Sequence, residues 1–118
     1  MKSPKIDSIE WGQIKVNEQT FKDVRLFPGG VEGWDWRKTD THHRPGIQIA
    51  DLEGLMDADI VVLSKGFKGC LCCMDETIKH LEDAGKIVYH EETKEAVETY
   101  NSFVENESKV SALIHSTC

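Results

Sequence analysis

The sequence predicts an α/β domain: a largely parallel sheet covered on both faces, preceded by an N-terminal β-hairpin. Three observations carry this. In Asp59-Ile60-Val61-Val62-Leu63 the four residues after Asp59 are continuously apolar, the mark of a strand buried on both faces. From there on, short β-rich runs alternate with segments of helical spacing, as βαβ units require. The chain has 118 residues, 39% of them hydrophobic and 30% charged, which supports one packed core and one domain spanning 1–118.

Near the N-terminus, Ile14 and Val16 alternate with polar residues, as do Val24 and Leu26. Asn17-Glu18-Gln19 between them predicts a hairpin loop, since Asn tolerates positive φ. Pro28-Gly29-Gly30 is expected to end the pairing, because Pro lacks an N–H and Gly weakens a strand. Residues 28–48 (PGGVEGWDWRKTDTHHRPGIQ) then read as one long loop. Loops of that length inside a compact domain are commonly functional or disordered, and two tryptophans argue for docking rather than disorder.

Residues about 49–57 place Leu52, Leu55 and Met56 on one helical face. Residues about 75–84 pair Ile78 with Leu81 and are followed by Gly85, a natural residue past a helix end. Lys86–Tyr89 reads as a short strand. Residues about 92–106 place Ala96, Val97, Tyr100 and Val104 at the spacing of a buried helix face. Lys109–Ile114 closes the βαβαβ pattern as a strand.

The chain carries 14 Lys+Arg against 21 Asp+Glu, a net charge of −7, which argues against nucleic acid as partner. Residues 1–50 sum to +1 and residues 51–118 to −8. Six Glu and one Lys between 91 and 107 read as a solvated helix face. No apolar run is long enough to span a membrane, and the N-terminal stretch has neither an apolar signal core nor an Arg-rich, acid-poor character. The expected compartment is the cytosol. Cysteines at 70, 72, 73 and 118 are not spaced as a disulfide scaffold and read as reduced thiols.

Four features are candidates for chemistry. Arg37, Lys38, His42, His43 and Arg44 crowd the long loop, and Ser64-Lys65-Gly66 follows a strand at its carboxyl end, where ligands of parallel sheets sit. Trp34, Trp36, Arg37, His43, Arg44, Lys65 and Gly66 are therefore the candidate anion pocket or contact surface. The alternative is that the tryptophans cap the sheet and Arg37 pairs locally. Cys70-x-Cys72-Cys73 lacks a second ligand pair, so no metal is expected. Cys, His and acidic residues are present without a local nucleophile signature, so no catalytic residue is assigned. Finally, the strand leading to His115 and Cys118 could place polar groups near the loop, although a merely polar strand end is the simpler reading.

Several segments together carry a resemblance: PKIDSIEWGQIKV at 4–16, KDVRLFPGG at 22–30, Trp34-Asp35-Trp36-Arg37, His42-His43-Arg44-Pro45-Gly46 and His115-Ser116-Thr117-Cys118. The chain resembles the family of adipogenesis-associated Mth-domain-containing proteins over nearly its whole length, with residues 64–75 departing from it. The resemblance implies a three-layer α/β fold with a mixed central sheet and the N-terminal hairpin as an added layer. It implies kinship with uncharacterised archaeal and bacterial proteins and with a mitochondrial assembly factor for respiratory complex I.

On that basis the expected function is non-enzymatic and cytoplasmic. The protein would support preadipocyte differentiation and adipogenesis through protein–protein contacts of the 28–48 loop. No cofactor, nucleic acid or membrane is expected, and the chain would be a monomer or weak dimer with an unidentified protein partner. The alternative is a small-anion-binding protein or enzyme, with a pocket at the strand carboxyl ends between Arg37, His43, Arg44 and Lys65. Assembly chaperoning, by analogy with the mitochondrial relative, rests on kinship alone.

Overall fold

A computed structural model describes residues Met1–Cys118. Asn17 and Glu18, with φ of 50° and 66°, form a two-residue turn of the kind that matches strand twist. The turn joins β2 (Gln13–Val16) to β3 (Gln19–Phe21), and β2 also pairs with β1 (Ser8–Glu10). The predicted hairpin is real, but its second arm is β3 and not the Val24/Leu26 segment. Alternation identifies a strand's apolar face and is silent about its partner. Val24 and Leu26 lie on β4 (Asp23–Phe27) in a separate, larger sheet.

That sheet has five strands in the order β5-β4-β8-β6-β7, where β5 is Gly30–Gly33, β6 is Ile60–Ser64, β7 is Ile87–Glu91 and β8 is Val110–His115. Strand β6 pairs in parallel with both β7 and β8, whereas β4 pairs antiparallel with β5 and β8. The sheet is therefore mixed, parallel only across its βαβαβ half. Pro28-Gly29 does not end pairing. It turns the chain from β4 into β5, with Gly29 at φ 99° and Phe27 opposite Gly30.

Helix α1 (Asp75–Asp83) follows β6, and α2 (Thr93–Glu105) follows β7. The chain steps from β6 outward to β7, then back across to β8 on the other side of β6. Two crossovers of one hand running in opposite directions put their helices on opposite faces. The core divides accordingly. Ile60, Val62, Val110, Ala112 and Ile114 face α2 residues Ala96, Val97 and Tyr100, together with Ile14 and Val16 of the small sheet. Val61, Leu63 and Leu113 face Leu81 of α1, together with Trp34, Ile47, Leu52 and Leu55 from irregular segments. The layers are thus α2 plus the small sheet, the large sheet, and α1 plus irregular chain. No helix is long and apolar enough to cross a membrane.

The helix predicted at 49–57 is only a short 3₁₀ turn, Ile49–Leu52. Gly54 at φ 83° turns the chain out of helical geometry, yet Leu52 and Leu55 are buried as their spacing predicted. The segment 28–48 is also more structured than a loop. It contains β5, a 3₁₀ turn at Trp36–Lys38 and a bridge from Ile47 to Cys73.

Candidate functional site

The register of β4 on β8 sets Asp23 directly opposite His115. Opposed residues of an antiparallel pair share a face, so the two side chains meet. His115 Nδ1 lies 2.9 Å from Asp23 Oδ1, and the Ser116 amide donates to the same oxygen at 3.0 Å. The carboxylate is acceptor in both bonds, so Nδ1 carries a proton and Nε2 is turned away from Asp23, 3.3 Å from Thr117 Oγ1. The His115 backbone is held as firmly. Its N–H donates to Ser64 Oγ at 2.7 Å and its carbonyl accepts from Thr93 Oγ1 at 2.7 Å. The residue is 3% exposed.

The irregular chain brings up the opposite wall. Asp51, fully buried, organises it by accepting four hydrogen bonds: from Trp34 Nε1 at 3.1 Å, Thr39 Oγ1 and Thr41 Oγ1 at 2.6 Å each, and the Gln48 amide at 2.9 Å. These are charge-assisted bonds, and together they offset the cost of burying a carboxylate. Trp34 is thereby largely a core residue: its ring packs in the apolar cluster on the Leu113 side and its N–H is spent on Asp51, while one edge of it lines the cleft described below.

Trp36 stacks on Trp34 at 5.3 Å between ring centres. It also touches both imidazoles, His43 at 5.0 Å and His115 at 4.7 Å. His43 is fixed through its backbone. Its carbonyl accepts from the Cys72 amide at 3.0 Å, and Gly46 packs so closely on the Cys72 carbonyl that no Cβ fits between them. Burial, and next the neighbouring His115, push the His43 imidazole below its ordinary pKa.

The result is an open cleft of about 640 Å³ at the carboxyl end of β8, lined by Phe21, Lys22, Asp23, Gly33, Trp34, Asp35, Trp36, Arg37, His43, His115 and Thr117. Cys118 follows the lining residue Thr117. Phe67 N–H donates to the Thr117 carbonyl at 3.1 Å and Cys70 N–H to the Cys118 carbonyl at 3.0 Å. Gly66, at φ 90°, makes room for this segment, because a Cβ there would lie 2.5 Å from the Cys118 carbonyl carbon. The ligating atoms of His43, His115 and Cys118 lie within 4.8 Å of one another.

Of the predicted site residues, Trp34, Trp36, Arg37 and His43 do line one cleft. Arg44 and Lys65 do not line it. Gly66 lies outside the lining and, lacking a side chain, packs against Thr117–Cys118. Arg37 is held by Asp35 in a two-bond pair at 3.0 Å, the local pairing weighed as an alternative, and this bond in turn holds the half-buried Asp35 carboxyl below its usual range. Asp23, Asp51, His115 and Cys118 were not assigned to the site. The first and third needed only the knowledge that β4 pairs with β8.

Two further expectations change. The non-enzymatic reading is overturned by the His43–His115–Cys118 cluster, whose first two members are half-buried and buried in a cleft. The same three groups form a possible metal-ligand set that spacing along the chain conceals. The cysteines at 70, 72 and 73 are free thiols, as read. Among them Cys73 is pushed by burial to a pKa of about 12, which makes it a poor nucleophile.

Fold and site define a small three-layer α/β domain with a ligand-type cleft at the strand ends. The chain belongs to the family described as protein of unknown function (DUF498/DUF598), which matches residues 6–115. It is similar to a conserved hypothetical protein from Pyrococcus horikoshii OT3, at 28% identity and a TM-score of 0.81, covering 97% of this chain and 99% of the other. An outer membrane protein from Bartonella henselae shares the fold at 17% identity and a TM-score of 0.78, covering 98% of this chain and 96% of its own. A Bordetella pertussis protein described as a Mth938-like domain does so at 17% identity and a TM-score of 0.75, covering 96% of this chain and 85% of its own. The mixed sheet and the added N-terminal β layer agree with the fold that the family resemblance implied.

Proposed function

We propose that the cleft binds a small anionic molecule and holds it against His115, as an enzyme-type site. The single observation that carries this is the buried Asp23–His115 pair on the cleft floor, which aims one imidazole nitrogen at a cleft of metabolite size. Burying an ion-pair-type hydrogen bond is costly, and structural gain alone is a weak reason to place one in a cleft. The anionic character of the ligand is argued from its donors. Lys22 stands at the cleft, its charge unspent while that of Arg37 is paired with Asp35, and the Trp36 indole N–H is buried without a partner. An unpaired buried N–H costs on the order of 1–3 kcal/mol, which a ligand oxygen would recover. Four free thiols suit a reducing compartment, in keeping with cytosolic action.

The test is thermal unfolding of chelator-treated protein with acetate, phosphate, sulfate and small dicarboxylates at millimolar concentration. Imidazole resonances are followed in parallel. A rise in Tm with movement of the His43 and His115 signals, lost in Asp23→Asn, supports the reading. No rise with any of these anions, with both signals unmoved, rejects it.

A further inference from the structure

We infer that His43, His115 and Cys118 form a three-ligand site for a zinc-type divalent metal ion, its fourth position open to the cleft. The inference deepens the proposed reading and rests on it only in taking the cleft as the place where a ligand meets the ion.

Four observations converge. The three ligating atoms lie within 4.8 Å of one another. Tetrahedral zinc bonds of about 2.0–2.3 Å bring ligand atoms to roughly 3.3–3.8 Å apart, so the site closes by about 1 Å on binding. Secondly, Asp23 already occupies His115 Nδ1, which leaves Nε2 as the ligand atom, its long 3.3 Å contact with Thr117 Oγ1 being the one a metal bond would replace. A carboxylate on the far nitrogen of a ligating histidine is the usual outer partner of such sites, fixing tautomer and ring orientation. Thirdly, His43 Nε2 is buried and has no hydrogen-bond partner, while Trp36 packs on both imidazoles and holds them 5.4 Å apart between ring centres. Lastly, Cys118 is delivered to this point by dedicated packing: the missing Gly66 side chain and the amides of Phe67 and Cys70.

Ligand chemistry sets the metal class. Two imidazoles and a thiolate select zinc or a similar borderline ion over magnesium or calcium, which require oxygen ligands. Three protein ligands with an open position are the arrangement of catalytic rather than structural zinc. The open position would take a water, or an oxygen of the anion that Lys22 and Trp36 attract.

The experiment is a titration of reduced, metal-free protein with Co²⁺ in the absence of any anion, read by visible and near-ultraviolet absorption. One cobalt per chain is expected, with tetrahedral d–d bands and a thiolate charge-transfer band. The charge-transfer band should vanish in Cys118→Ser and survive in the combined Cys70→Ser, Cys72→Ser, Cys73→Ser variant. His43→Gln and His115→Gln should each weaken binding at least tenfold. As a second readout on the natural chain, one equivalent of Zn²⁺ should slow alkylation of Cys118 at least tenfold, mapped by mass spectrometry.

A band that survives Cys118→Ser, or one lost with the 70–73 thiols, overturns the site, as does equal alkylation of Cys118 with and without zinc. Anion binding by chelator-treated protein is scored separately. A cleft that binds anions but no metal defeats only the metal inference, and a metal site in a cleft that no anion stabilises defeats only the anion reading.

Discussion

The two faces of the five-stranded sheet are made from the same strands and covered in opposite ways. On the α2 face, the covering is mostly regular: a thirteen-residue helix and a three-stranded sheet, with only Ile6 added from the N-terminal segment, close over an unbroken apolar cluster. On the other face, α1 covers only part, and the remainder is closed by irregular chain from Trp34 to Leu55. That chain is shaped by hydrogen bonds to one buried carboxylate, Asp51. Regular elements satisfy their own backbone and pack flush, so they leave no opening. Irregular chain must recruit side chains as partners, and where it meets the strand ends it leaves room for a cleft with polar walls.

The contrast can be broken most strongly at neighbouring core positions. Leu113 and Ile114 are both fully buried, one on each face. Each alanine substitution should cost about 2–5 kcal/mol in denaturant unfolding. Only Leu113→Ala should alter the near-ultraviolet circular dichroism of the Trp34–Trp36 pair. Equal spectral change in Ile114→Ala would mean that the faces are not independent.

A smaller effect separates the two kinds of covering. Asp51→Asn turns an acceptor of four bonds into a group with competing N–H donors, and should cost on the order of 2–3 kcal/mol. Hydrogen exchange should accelerate across residues 34–51 and leave α2 protected. Uniform acceleration would show instead that Asp51 supports the whole domain.

The smallest effect is acid sensitivity. His90 sits beside Leu63 in the register and shares its face. Burial, and then the nearby Lys65 charge, hold its imidazole below the ordinary pKa. A folded-state pKa below the unfolded one means that the unfolded chain binds the proton first. Stability is then fully present above the unfolded value of about 6.5 and falls as pH drops below it. His90→Gln should flatten that fall, measured as Tm between pH 7.5 and 5. An unchanged profile would assign the acid sensitivity to other groups.

The regular half of the molecule was legible. The βαβαβ pattern, α1 with Gly85 at its end, and α2 with its Ala96–Val97–Tyr100 face all follow from periodicity, which is a local property. The 49–57 segment was misread because Leu52 and Leu55 have helical spacing in a chain that Gly54 turns. In the site, the loop aromatics and His43 were visible as a cluster in sequence. His115 and Cys118 were visible only as a polar strand end that could come near the loop, and Asp23 not at all, since 92 residues separate the hydrogen-bonded pair Asp23 and His115.

The sequence by itself therefore determined the strands and helices of the βαβαβ half, the apolar faces of β2 and β4, and which of their residues face inward. These follow from side-chain spacing within a few residues. Only the tertiary structure decided that β4 lies antiparallel on β8, that Gly66 leaves space for Thr117–Cys118, and that His43 comes to rest beside His115. Those depend on strand order and on the absence of a Cβ at a point of contact, and neither is encoded in any local pattern.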